Sequence, residues 1–184
     1  MQIRSLLEED FDDVIRLGNA IHGKGYLTKK SLLEMFKKGI KHGINAHAIA
    51  TKGEKVIGFR LTYSPGNWNS DEWCSPKHWD ISSQEVCYFK TNNVLPEWRG
   101  NGVGHLLLQH SINAVKQQGA IAGVAHIWKE SPNNSSVRYF SKAGAKLIKE
   151  HPKRWSWENY DDNYDCAHCG GNCHCTACEM LLEF

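Results

Sequence analysis

Apolar residues at Phe11, Val14, Ile15, Gly18 and Ile21 recur every three or four positions, so Asp10 to Ile21 is expected to form an amphipathic helix behind a short strand at Gln2 to Arg4. A second helix is expected to start at Thr28, whose hydroxyl suits an N-cap. It carries Leu32, Leu33, Phe36 and Ile40 on or near one face, with Gly39 near its end. The period then changes. His47 to Thr51 and Lys55 to Tyr63 read as two strands joined by a turn at Lys52, Gly53 and Glu54, hence an antiparallel hairpin. Glu85 to Val94 is again strand-like. Val103, Leu107, Leu108, Ile112 and Val115 mark the apolar side of a third helix over Gly102 to Gln118, stopped at Gly119, and Ile121 to Trp128 returns to a strand. Strand, helix, strand in that order favours parallel pairing of the two strands. A short helix over Asn133 to Ala143 and a strand from Ala145 to Glu150 follow. Tyr63 to Gln84 has no period, is dense in turn residues and holds Trp68, Trp73 and Trp79, so it is either a packed cover or a substrate wall.

At 184 residues and 41% hydrophobic, the chain is expected to bury one core as a single domain over 1–184. A formal charge of +2 supports neither a nucleic-acid nor a membrane partner. No apolar run approaches the ~20 residues that span a bilayer, and Met1 to Asp13 lacks the features of a secretory signal. A cytoplasmic location is therefore expected. Seven cysteines then need a reason, because a reducing compartment disfavours disulfides.

Between the strand ending at Val94 and the third helix lie Arg99, Gly100, Asn101, Gly102, Val103 and Gly104. Glycines let the backbone approach an anion, and the first N–H groups of the following helix lack internal acceptors, so this turn is a candidate phosphate site. The spacing Arg, two residues, Gly, one residue, Gly, preceded by Val94, Pro96 and Glu97, resembles the coenzyme A-binding core of the Gcn5-related N-acetyltransferase (GNAT) superfamily. The resemblance implies an α/β fold: a mixed, mostly antiparallel central sheet with a V-shaped splay, flanked by about four helices. It also implies an acetyl group moved from acetyl-CoA to a primary amine by direct attack. Arg99 to Gly104 would then hold the pyrophosphate, Asn93 and Val94 would supply backbone N–H groups, and Asn133 would meet the pantetheine arm or its neighbourhood. Phe140 falls where the superfamily usually has a tyrosine that protonates the leaving thiolate, and phenylalanine has no proton to give. Tyr139 projects roughly 100° away on an ideal helix and is the substitute candidate. For the base, Glu85 is preferred, with His126 behind it. Each of these has a plain structural alternative, and Glu97 reads as structural. A catalytically silent module that binds acyl-CoA or senses metal on the same fold is the alternative function, with Phe140 its support.

Cys166 and Cys169 form one CxxC pair and Cys175 and Cys178 another, with Cys173, His168 and His174 among them. Two such pairs suffice for a closed four-sulfur metal site, zinc first and an iron–sulfur cluster second, although five residues between the pairs is tighter than usual. A free cysteine-rich loop is the alternative. Cys178 to Phe184 resembles the superfamily's final strand, so 155–178 is expected to be an elaborated connection before it. In the superfamily this connection borders the acceptor site. Trp155, Trp157, Tyr160 and Tyr164 would form its wall, and Glu158, Asp161, Asp162 and Asp165 would draw a cationic amine. The acceptor and the oligomeric state, a homodimer included, stay open.

Overall fold

Nine successive residues of one strand, all but the first buried, set the centre of this molecule. The structure, a computed structural model, describes residues 1–159, 165–166 and 168–184. In chain order the elements are β1 (Gln2–Ser5), α1 (Phe11–His22), α2 (Lys29–Lys38), β2 (Ile40–Lys41), β3 (Ile44–Asn45), β4 (Ala48–Lys52) and β5 (Lys55–Tyr63). They continue with β6 (Val86–Val94), α3 (Val103–Gln117), β7 (Ala122–Trp128), α4 (Ser135–Lys142), β8 (Lys146–Pro152) and β9 (Thr176–Glu183). Seven strands form one sheet in the order β1-β4-β5-β6-β7-β9-β8, with β2 and β3 a separate small hairpin. Every pairing is antiparallel except β6 with β7. Ile40, expected on the second helix, belongs to that hairpin and is exposed, because α2 stops at Lys38 with Gly39 as its cap.

Helices cover β5 on both faces, which is why its pattern loses the alternation of a half-exposed strand. Phe59 and Leu61 pack with Phe11, Val14 and Leu17 of α1 and Leu32 and Phe36 of α2. Ile57, with Ala48 and Ala50, meets Val103 and Leu107 of α3 on the opposite face. The Thr28 hydroxyl accepts from the Ser31 N–H and so caps α2 as expected.

The feature that positions the site is where β6 and β7 part. They pair only at Val86 with Ala122, Cys87 with Gly123 and Tyr88 with Val124. Beyond Tyr88, β6 follows β5 as far as Val94 opposite Gly58, whereas β7 follows β9 to Trp128 opposite Ala177. The register of β5 with β6 slips between Leu61 and Thr62, so that Thr91 stands opposite Leu61 and Phe89 opposite Thr62, with Lys90 as the bulge between them. A bulge bends and twists its strand, and this one sits where the V opens. Gly123 lies at the same point: a side chain there would drive into the Phe89 ring and the Cys87 sulfur.

Residues 64–85 form a packed cover over the closed half of the V. Trp79 is buried among Tyr63, Val86, Tyr88, Val124 and Leu181. The Trp68 indole donates to the Val86 carbonyl. The cover is pinned from below by a buried polar group. Glu179 of β9 accepts from the Ser75 N–H, the Trp79 indole and His151. Both nitrogens of His126 are engaged, one with the Trp73 carbonyl at 2.7 Å and the other with the Tyr88 hydroxyl at 3.0 Å. Burial pushes the His126 pKa down to about 4. His126, expected behind the base, is thus a neutral ring locked into the cover. Among the described residues, no helix is long and apolar enough to cross a membrane.

Candidate active site

The turn Arg99 to Gly104 lies at the mouth of the V. Gly100 and Gly102 both take φ +77°, a conformation that side chains with a Cβ resist, and Gly102 serves as N-cap of α3. The first bond of the helix runs from Leu106 N–H to the Gly102 carbonyl, so the N–H groups of Val103, Gly104 and His105 have no acceptor within α3. The cradle therefore has the expected geometry for an anion, reinforced by the helix dipole. Asn101 braces it through a bond to the Arg99 carbonyl. Glu97 pairs with Lys55 on the surface, in keeping with a structural part.

Alternation along β6 determines which backbone groups face the opening. Leu95 N–H donates to the Ile57 carbonyl of β5. Successive residues point their backbone groups to opposite sides, so Asn93 also faces β5, and the N–H groups of Asn92 and Val94 turn into the V. By this alternation the Val94 N–H faces the opening, and Asn92 rather than Asn93 shares that side with it. The Arg99 Nε donates to the Val94 carbonyl at 3.1 Å, tying the anion turn to this open edge.

Two polar sets flank the opening on opposite faces of the sheet. On the α3 face, Arg60 of β5 is buried, lies over the Phe89 ring and donates to the Tyr139 hydroxyl at 3.2 Å. That hydroxyl donates to the Gly104 carbonyl at 2.7 Å. Arg60 has no carboxylate in ion-pair range among the described residues, and its Nε, like Asn92 Oδ1, is buried without a hydrogen-bond partner. Phe140 is fully buried against Phe89 and plays a packing part. α4 is therefore turned so that Tyr139, not Phe140, reaches the anion turn. Asn133 is exposed in a left-handed conformation just before α4, on the mouth side of β7.

On the α1 face, the Asn93 side chain bonds His22 Nε2 through its Oδ1 at 2.7 Å and donates to the Thr91 hydroxyl. Because Asn93 uses its carbonyl oxygen, His22 Nε2 carries the proton and Nδ1 is left as a lone pair. Tyr26 stacks on His22 at 4.1 Å and donates to Thr91. Burial and the charge of Arg99 hold the His22 pKa below the ordinary histidine value, against the Asn93 bond that raises it. A Cβ added at Gly23, next to His22, would stand 4.0 Å from the Asp165 carbonyl of the cysteine-rich connection.

Glu85 is not brought to this opening. It is exposed in a short turn before β6, at the closed end where β6 and β7 pair. Six residues of strand, about 20 Å at roughly 3.3 Å each, separate it from Thr91. Glu85 therefore stands apart from the opening, whereas His22 lies on its α1 face. Nothing in the sequence around His22 marked it, because its partner Asn93 lies 71 residues away. Arg60 did carry a signal: a cation in the interior of a strand, within the otherwise apolar run Val56 to Leu61.

The cysteine-rich connection gathers Cys166, Cys169, Cys173 and Cys175, whose sulfurs lie within 4.8 Å of one another. Cys178, expected as the fourth ligand, lies on β9 in the core with Phe89, Phe140 and Met180, and Cys173 takes its place in the cluster. Trp128 and Trp155 pack against the group. Tyr160, Asp161, Asp162 and Tyr164, expected in the acceptor wall, lie outside the described residues.

An anion cradle thus stands at the mouth of a splayed sheet, with polar groups on both faces of the gap. The profile of the acetyltransferase (GNAT) family matches residues 9–145, and the chain belongs to that family. It is 26% identical over 157 residues to an uncharacterized N-acetyltransferase of Methanocaldococcus jannaschii, covering 83% of this chain and 63% of that protein. The chain thus spans less than two thirds of that relative's length. Its fold is similar to the ribosomal-protein-alanine N-acetyltransferase of Brucella melitensis, at a TM-score of 0.70 with 13% identity and 100% of each chain covered. It is also similar to yncA of Salmonella typhimurium, solved with its cofactor acetyl-CoA, at a TM-score of 0.68 and 17% identity, covering 100% of this chain and 93% of that one.

Proposed function

We propose that this protein transfers an acetyl group from acetyl-CoA to a primary amine by direct attack. The observation that carries the reading is the open edge of β6, where two N–H groups freed from β7 stand next to an anion turn tied to the same strand by Arg99.

In this reading the N–H groups of Gly102 to His105 hold the pyrophosphate, with Gly100 and Asn101 shaping the turn. The pantetheine arm enters the V from the α3 face, past Asn133, and pairs with the edge of β6. The Val94 or Asn92 N–H then meets the thioester oxygen as it gains negative charge. The amine approaches from the α1 face. Its nitrogen attacks the acetyl carbon and sheds a proton, which His22 Nδ1 accepts. Collapse breaks the carbon–sulfur bond, and the departing thiolate takes a proton from Tyr139, with the Arg60 charge lowering the cost of the anion. Tyr139 thereby supplies the group that Phe140 lacks, which weakens the silent-module alternative. In the same reading the chain is one acetyltransferase-like domain over 1–184, with 155–178 an elaborated connection on the acceptor side. A reducing, cytoplasmic setting suits seven cysteines of which none is in a disulfide.

Thermal unfolding with coenzyme A, followed by thiol release from acetyl-CoA, tests the reading. The amine panel spans polyamines, amino acids and peptides with free N-termini, the last because neighbours of this fold are named as protein N-acetyltransferases. Saturating coenzyme at 100 times Kd should add about 2.7 kcal/mol of stability. Absence of protection would overturn the proposal. Protection with no thiol release on any amine would favour the silent module.

A further inference from the structure

We propose that Cys166, Cys169, Cys173 and Cys175 bind one zinc ion in a closed tetrahedral site, with Cys178 outside the set.

Four thiolates at about 2.3 Å from one ion stand about 3.8 Å apart along the edges of a tetrahedron. The four sulfurs here all lie within 4.8 Å of one another, and Cys169 and Cys175 are 3.6 Å apart. That spread suits a single ion. An iron–sulfur cluster spreads its four thiolates over several irons and needs a wider cage.

Local backbone geometry explains the choice of ligands. Gly170 and Gly171, at φ +73° and +151°, reverse the chain so that Cys166 N–H donates to the Gly171 carbonyl and Gly170 N–H to the Cys166 carbonyl, both at 2.8 Å. This tight turn presents Cys166 and Cys169 together. The following residues alternate, with Cys173 and Cys175 buried and His174 exposed between them. In extended chain, residues two apart share a side and residues three apart do not. Cys175 and Cys178 have the spacing of a CxxC pair, but the chain has entered β9 by then, and Cys178 is turned into the core.

The surroundings also suit thiolates. The His174 N–H donates to the Cys169 sulfur at 3.4 Å. The buried Trp128 indole N–H, in the ring that packs on this cluster, has no oxygen or nitrogen acceptor and turns to the Cys175 sulfur, an interaction that favours the thiolate there. Apart from Trp128 and Trp155, the three buried cysteines are the whole apolar cluster of this connection among the described residues. Such a cluster is too small to hold a long loop in place, and a structural metal supplies binding energy where a core does not. Four sulfurs leave no open position, so the ion is structural. It holds the connection beside Gly23 and the end of α1.

The test uses the full chain and reads metal and thiols without turnover, so its outcome is separate from that of the acetyl-transfer reading. Purified protein dialysed against metal-free buffer should retain about one zinc per chain by X-ray fluorescence, the stoichiometry of a closed four-cysteine site. Cys173→Ser should lose it and Cys178→Ser should keep it. Unchanged far-UV circular dichroism would show that each variant is folded. Should Cys173→Ser fail to fold, alkylation of the native chain before and after chelation decides the ligands. Cys166, Cys169, Cys173 and Cys175 should become newly reactive while Cys178 stays protected. Zinc kept by Cys173→Ser, Cys178 exposed along with Cys175 on chelation, iron in place of zinc, or a metal-free chain with these thiols in disulfides would each overturn the assignment.

Discussion

Arg60 brings a full positive charge beneath the sheet with no carboxylate beside it among the described residues, and a buried cation left so is costly unless an anion meets it. The Tyr139 hydroxyl links that charge to the Gly104 carbonyl at the turn proposed to hold the coenzyme. Tyr139→Phe should therefore lower kcat by about 10²-fold, the lower end of what a proton donor contributes, and leave coenzyme A affinity nearly unchanged. Steady-state rates set beside calorimetric binding check this, and an unchanged kcat would remove Tyr139 from the chemistry. His22→Gln should also lower the rate. With His22 present, the acidic limb of kcat/KM should fall below the ordinary histidine value near 6.5, because burial depresses its pKa. A pH–rate profile whose acidic limb is identical in His22→Gln would dismiss it as the base. Tyr139 was legible as a substitute for Phe140, but its reach was not. The helical repeat gives the angle between neighbours and says nothing about how α4 rolls when Phe140 is drawn against Phe89.

The strand, turn and helix around Arg99 to Gly104 were legible because their signals are local: an apolar strand end, a proline, glycines and a helical period. Gly102→Ala should cost about 1–2 kcal/mol, since alanine resists the left-handed conformation that Gly102 adopts. Nothing lies within 4 Å of the added methyl, so the chain should still fold while coenzyme A affinity falls. Denaturant unfolding and coenzyme titration separate the two effects, and unaltered affinity would argue against the turn as the pyrophosphate site. The splay itself was predicted only through the family resemblance. It depends on β6 leaving β7 after Tyr88, on the Lys90 bulge and on the Phe89 ring lying against Gly123, all contacts between segments distant in sequence. Gly123→Ala crowds that point and should destabilise by about 1–3 kcal/mol, the usual range for overpacking, read as a lower urea midpoint.

Acid should unfold this protein through two neutral histidines, His47 buried and His126 half-buried. His47 donates from Nε2 to the Phe36 carbonyl and accepts the Thr62 N–H at Nδ1, and a side chain at Gly39 would collide with its ring. Burial depresses the pKa of His47 and of His126 to about 4. Asp71 and Glu179 oppose that shift at His126, and the Arg154 charge adds to it. The unfolded chain binds these protons near pH 6.5 and the folded chain only near 4, so stability is full above about 6.5 and declines as pH falls towards 4. The loss is up to about 3 kcal/mol for each ring at 1.36 kcal/mol per pKa unit. Urea unfolding from pH 7.5 to 4 should show the slope, and His47→Gln should flatten it; a slope unaltered in that variant would show that His47 is not its source. Apart from the small β2–β3 hairpin and the final strand, the sequence alone determined the order of helices and strands, the glycine turn and the existence of a cysteine-rich segment, because periodicity, turn chemistry and ligand spacing act over a few residues. Only the tertiary structure decided that His22 rather than Glu85 stands at the opening, that Asn92 rather than Asn93 turns its N–H into the V, and that Cys173 rather than Cys178 joins the sulfur cluster. Each of those depends on strand register and on which face a side chain takes, and both are set by segments that meet only when the sheet is assembled.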